Sequence, residues 1–185
     1  MPHLVGERII LREYRKEDLD SMRFWANDPV ITSQLSDVFL YPHTRNSTEA
    51  YLNGILEGKS DQKGFVIANK ETEAYIGQID LFYIDWKNRS TEMGMVIGNP
   101  ELQNKGYGTE AVLLLQKFVF QQLNLNRIQL EVYDYNANAI KCYLKCGFKE
   151  EGRLRQRHFA NGRYSDVIMM GILRDDYEAI FSAVR

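Results

Sequence analysis

The sequence predicts a mixed α/β (α+β) protein, one sheet of about seven strands with helices on its faces. Three observations predict it. Seven segments alternate apolar and polar residues or run short and β-branched, the mark of strands. Four segments repeat their apolar residues at helical spacing. The order β-α-α-β-β-β-α-β-α-β-β, with a short closing helix, brings three strands together before helices and strands resume alternation.

Arg8–Glu13 opens as a strand, with Ile9 and Leu11 on one side. Lys16–Asn27 follows as a helix carrying Leu19, Met22 and Trp25 on one stripe, and it must end before Pro29. Asp28–His43 reads as a looser stretch. Thr48–Glu57 is a second helix, begun by polar caps within 44–47 and stopped near Gly58. Gly64–Asn69, Tyr75–Phe82 and Thr91–Ile97 form a meander joined by the polar turns 70–73 and 85–90. A glycine-bearing loop, Asn99–Gly108, enters a long apolar helix, Thr109–Leu123. Arg127–Tyr133 is the next strand, and Ala139–Cys146 a shorter helix closed by Gly147. Glu150–Phe159 and Arg163–Leu173 pair as a hairpin across Asn161-Gly162, the dipeptide favoured where a two-residue turn needs positive φ. Asp175–Val184 ends the chain as a helix.

No repeat or linker divides the 185 residues, so residues 1–185 are expected to form a single domain. The net charge of −2, with acids and bases interspersed, offers no basic stripe for nucleic acid. The run 111–115 is too short to span a bilayer, and 1–6 lacks the form of a signal peptide, so the expectation is a cytoplasmic protein with no membrane partner. Cys142 and Cys146 read as small, partly buried apolar residues. His3, His43 and His158 lie scattered, so no metal site is expected.

Two segments carry chemistry. Gln103-Asn104-Lys105-Gly106-Tyr107-Gly108 stands directly before the helix that begins at Thr109. A helix start offers unpaired N–H groups and partial positive charge, and glycines let a phosphate approach the backbone. The alternative is a plain glycine-assisted turn. Gly106-x-Gly108-x-x-Ala111 also matches a dinucleotide pattern, but its first glycine should follow a strand at once, whereas 99–105 intervene here. The second segment runs from Leu130 to Phe148: a strand end, Asn136 or Asn138 as helix cap, and Gly147 as stop.

Together, Gln103-x-x-Gly106-x-Gly108 and Asn136-x-x-Ala139-Ile140-x-x-Tyr143-x-Lys145-x-Gly147-Phe148 resemble the GNAT superfamily of N-acetyltransferases. The opening Glu7-Arg8-Ile9-Ile10-Leu11-Arg12 is similar to its Rim-type branch, which holds ribosomal-protein N-terminal acetyltransferases and spermidine acetyltransferases. The resemblance implies a mostly antiparallel sheet, splayed between its fourth and fifth strands, that binds acetyl-CoA as acetyl donor without a metal. Val96 and Ile97 would pair with the pantetheine amides. Gln103, Asn104, Lys105, Gly106, Tyr107, Gly108 and Thr109 would hold the pyrophosphate. Asn136, Ala139, Tyr143 and Lys145 would complete the cofactor site.

The implied reaction is direct attack of a primary amine on the thioester. Tyr143, protonated at neutral pH, is the expected general acid to the departing sulfur; its alternative is a core aromatic with a bonded hydroxyl. Three base candidates remain open, in the order Glu131, Glu92, His158. Glu131 shares a strand face with Gln129 and Tyr133, Glu92 would act through water, and His158 has a suitable titration range. The acceptor is a peptide N-terminus or a small polyamine-like amine. Residues 13–57 hold eight acids against four bases, which favours a cationic acceptor. A catalytically silent acyl-CoA-binding module on the same fold is the competing function, and a homodimer is expected by analogy.

Overall fold

The computed structural model describes residues 4–182. His3 and the end of the predicted closing helix lie outside the described residues. Eight strands form one sheet in the order β1-β2-β3-β4-β5-β6-β8-β7. The strand beyond the seven predicted is β1, Leu4–Val5, paired antiparallel to β2, Ile9–Arg12. Two residues carry no readable alternation.

The first helical segment begins as a 3-10 turn, Lys16–Asp18, and continues as α1, Leu19–Ala26. The stretch predicted to be irregular holds a helical turn, α2, Pro29–Thr32. Asp28 accepts a hydrogen bond from Val30 N–H at 2.9 Å, and Pro29 occupies the first helical position. A proline that ends one helix can thus begin the next. Helix α3, Arg45–Leu56, starts earlier than expected because Thr44 is its cap, accepting from Ser47 N–H at 3.1 Å. Then come β3 (Lys63–Asn69), β4 (Tyr75–Asp85), β5 (Ser90–Ile97), α4 (Tyr107–Gln121), β6 (Arg127–Tyr133), α5 (Ala137–Lys145), β7 (Lys149–Ala160), β8 (Arg163–Leu173) and α6 (Arg174–Ser182).

The chain divides into two compact units, Met1–Tyr83 with Gly94–Leu114, and Ile84–Met93 with Leu115–Arg185. In the first, α1 and α3 cover one sheet face: Ile10, Tyr14, Leu19, Met22, Leu52, Val66 and Ala68 form a buried cluster. Trp25, Ala26, Ile31 and Val96 form another. A bidentate pair, Arg12 to Asp18 at 2.8 and 2.9 Å, is buried and fully bonded, since Arg12 also donates to the carbonyls of Glu13 and Glu73.

In the second unit β5 and β6 run parallel over Ser90–Glu92 and Arg127–Gln129, where the pairing stops. This is the splay that the resemblance implied. β6 pairs antiparallel with β8 along its whole length, and the β7–β8 hairpin turns on Asn161 (φ 52°) and Gly162 (φ 77°). Among the described residues no helix is long and apolar enough to cross a membrane. Cys142 and Cys146 are not joined in a disulfide.

Candidate active site

In the first unit, Val96 and Ile97 end β5. Gly98 N–H donates to Ile76 carbonyl at 2.8 Å, so by the two-residue period of a strand Val96 turns its backbone groups towards β4 and Ile97 turns its own away. Of the two predicted pantetheine partners, Ile97 is the better placed. Its carbonyl already accepts a weak hydrogen bond from Gln103 Nε2 at 3.4 Å. The loop then passes Asn104 (φ 58°), Lys105 and Gly106 (φ 86°), all exposed, into α4, which begins at Tyr107 rather than Thr109. The N–H groups of Gly106, Tyr107 and Gly108 make no hydrogen bond among the described residues. Such groups at the start of a fifteen-residue helix are able to accept an anion.

The same unit holds a site the sequence reading missed. Asp80, on β4, is buried and takes part in none of the ion pairs among the described residues. Tyr14 donates its hydroxyl to Asp80 Oδ1 at 2.5 Å, and Gln78 donates Nε2 to Oδ2 at 3.1 Å. Tyr75 donates to Gln78 Oε1 at 3.1 Å, and Trp25 Nε1 donates to Tyr75 at 2.9 Å. Burial pushes the Asp80 carboxyl up to about 6, against the pull of the hydrogen bonds from Tyr14, Gln62 and Gln78. The nearby charge of Asp80 and burial together push Tyr51 up to about 12, with burial the larger cause. Gln78, Asp80 and Phe82 share a face of β4, and the Phe82 ring lies where a side chain at Gly94 of β5 would stand. Asp80 therefore lies buried on the face of the sheet that also carries Val96 and Val66 and that α1 and α3 cover. The only sequence signal was a lone acid between Ile79 and Leu81.

In the second unit, Ile128, Leu130 and Val132 are buried on one side of β6, and Gln129, Glu131 and Tyr133 take the other, as the alternation predicted. Glu131 is exposed. Glu92 is half-buried, and its carboxyl is held above the usual range, first by burial and then by the charge of Glu131. His158 reaches this neighbourhood through a feature not legible beforehand. Pairing of β7 with β8 is irregular between Leu154 and His158, where Gln156 takes φ 54° and its N–H is held by Asp166 Oδ1 at 2.8 Å. Past this bulge His158 is buried, stacked on Tyr133 with ring centroids 3.9 Å apart.

Asn136 caps α5, its Oδ1 accepting from Ala139 N–H at 3.2 Å. Ala139 is half-buried and Lys145 exposed. Tyr143 is 6% exposed, its ring 5.7 Å from that of Phe148, and its hydroxyl makes no hydrogen bond to any described residue. Burial holds the phenol well above its ordinary range, so it stays protonated at any working pH.

Amides unpaired among the described residues, where a long helix begins, suit an anionic donor. A family profile described as acetyltransferase (GNAT) domain matches residues 8–149, and the chain belongs to this family of acetyltransferases. It is 37% identical over 156 residues to the spermidine N(1)-acetyltransferase of Vibrio cholerae, covering 84% of this chain and 82% of that one. It is 34% identical over 182 residues to the uncharacterized N-acetyltransferase p20 of Bacillus licheniformis, covering 96% and 99%. Among solved structures, the spermidine N-acetyltransferase from Vibrio cholerae in complex with CoA and spermine superposes with a TM-score of 0.81 at 31% identity, covering 92% of this chain and 98% of that one.

Proposed function

We propose that this acetyltransferase moves the acetyl group of acetyl-CoA to a primary amine of a small polyamine-like molecule. The relatives named above support both the donor and the class of acceptor. We take residues 1–185 as one acetyltransferase domain, since the family match runs through both compact units. Two cysteines outside any disulfide suit a reducing, cytoplasmic compartment.

The observation that carries the enzymatic reading is the Tyr143 hydroxyl. A buried phenol retained only for packing finds a hydrogen-bond partner. This one has none among the described residues and is held protonated, as a proton donor to a departing thiolate requires. A silent acyl-CoA-binding module has no use for it. The amine must arrive neutral, and Glu92 is the favoured proton acceptor, because its raised titration brings it closer to the working range than an ordinary carboxylate. His158, in its stack on Tyr133, ranks next, and exposed Glu131 supports Glu92 by raising it. Asp80 supplies the buried negative charge that a cationic acceptor seeks. The other acids of this stretch do this less well than their number suggested: buried Asp18 is paired with Arg12, and exposed Asp20 pairs with Arg45 at 3.1 Å.

The pH–rate profile of kcat/KM tests the acceptor. Neutralising an α-amino group of pKa ~7.7–8.0 at pH 7 costs about 1–1.4 kcal/mol, and a lysine-like amine of ~10.4 about 4.6 kcal/mol. With polyamines as acceptors the rate should keep rising towards about pH 9–10, whereas a peptide N-terminus should plateau near about pH 8. Turnover of peptide N-termini with none of polyamines would overturn the acceptor class; acetylation of hydroxyl compounds alone would overturn amine transfer.

A further inference from the structure

The phosphate loop is held from outside by a residue that precedes it by almost a hundred positions. Arg8 stands just ahead of β2. Its Nη1 donates to the Lys105 carbonyl at 2.8 Å and its Nε to Glu110 Oε2 at 3.1 Å. Glu110, in the first turn of α4, returns the contact: its Oε1 accepts from the backbone N–H of Arg8 at 2.8 Å and of Ile9 at 3.3 Å. The guanidinium carbon lies 4.7 Å above the centre of the Tyr107 ring.

The geometry has a directional result. In a trans peptide the C=O and the N–H point in opposite directions. Fixing the Lys105 carbonyl on Arg8 therefore fixes the Gly106 N–H the other way, beside the unengaged N–H groups of Tyr107 and Gly108. A loop left to itself would turn that carbonyl, a negative dipole, inwards part of the time and repel a phosphate. Arg8 also sets a condition on Gly106. A Cβ there would stand 3.1 Å from Arg8 Nη2, on a backbone with φ 86° that side chains already avoid.

We propose that Arg8 is a positioning residue for the pyrophosphate of the acyl donor: it locks the Lys105–Gly106 peptide so that the loop's amides converge on the anion before the donor arrives. This rests on the acetyl-CoA reading above. What it adds is that donor selectivity, for a nucleotide-bearing thioester over the bare pantetheine arm, depends on a side chain from the turn between the first two strands.

The test compares two donors in one protein: acetyl-CoA, and S-acetylpantetheine, which lacks the pyrophosphate and nucleotide. The native enzyme should prefer acetyl-CoA in kcat/KM. Arg8→Gln should reduce that preference by about tenfold or more through the KM for acetyl-CoA, and Arg8→Lys, which keeps the charge but not the fork, should fall between. S-acetylpantetheine turnover reports that the rest of the site is intact. An unchanged ratio in Arg8→Gln, or an equal fall with both donors, overturns the inference and leaves Arg8 as a structural prop. A native enzyme indifferent to the two donors sinks the loop assignment itself, and the inference with it.

Discussion

In the proposed reaction Tyr143 is the acid that serves the departing thiolate. Burial of the ring keeps the proton on the phenol oxygen, available for transfer to the departing sulfur. Tyr143→Phe deletes one oxygen and leaves the ring against Phe148. The expected outcome is a fall in kcat of about 10²–10⁴-fold, or about 2.7–5.5 kcal/mol of barrier, with acetyl-CoA affinity retained. Single-turnover kinetics with a titration of donor binding would measure both; a loss under about threefold in the chemical step would return Tyr143 to the core. The motif around it was readable because each position has a local job, cap, stop or stacked face. Asp80 and Arg8 were not readable in their roles. The one takes its meaning from Tyr14, sixty-six positions away, and the other from Lys105, ninety-seven away, and no period in a sequence reports such separations.

At the scale of elements, the regular pieces were legible wherever the signal was local. β6 was found with its limits unchanged, because alternation there is unbroken and one face is buried. The hairpin turn was found because Asn161 and Gly162 both need positive φ. The bulge that buries His158 was not, since Arg155, Gln156 and Arg157 read as an ordinary exposed alternation while an Asp on the partner strand bends them. The end of α5 shows how much one position can matter. Gly147 has φ 89°, and a Cβ there would meet Ile180 Cδ1 at 2.3 Å and Ile172 Cδ1 at 3.3 Å. Past it, Phe148 N–H returns to the Tyr143 carbonyl at 3.0 Å. Gly147→Ala combines left-handed backbone strain with overpacking, each worth about 1–3 kcal/mol. Thermal unfolding should shift down by about 5–15 °C. A shift under about 2 °C would mean that α6 can step aside at no cost.

For the whole molecule, the carboxyl of Asp80 ties stability to pH. Its titration in the folded protein is raised by burial, so the folded state holds this proton more tightly than the unfolded chain does. The sign follows. The group's contribution to stability is fully present below about pH 4, where it is protonated in both states. It is lost as pH rises through about 6, where the folded carboxyl finally ionises. Asp80→Asn removes the charge and keeps the shape. Relative to the native protein, the variant should gain about 1–3 kcal/mol between about pH 4.5 and pH 7.5, read from urea midpoints at the two values. Equal pH slopes in the two proteins would show that Asp80 is solvated enough to titrate normally.

The chain of donors from Trp25 through Tyr75 and Gln78 to Asp80 runs in one sense, each group giving its hydrogen to the next. An indole is thereby wired to a carboxylate three links away, and indole emission is sensitive to the field along its own N–H. Protonation of Asp80 should therefore alter the colour and yield of light that Trp25 emits. Under the proposed function, in which Asp80 attracts the acceptor's ammonium group, Trp25 emission becomes an optical probe of acceptor binding in the absence of donor.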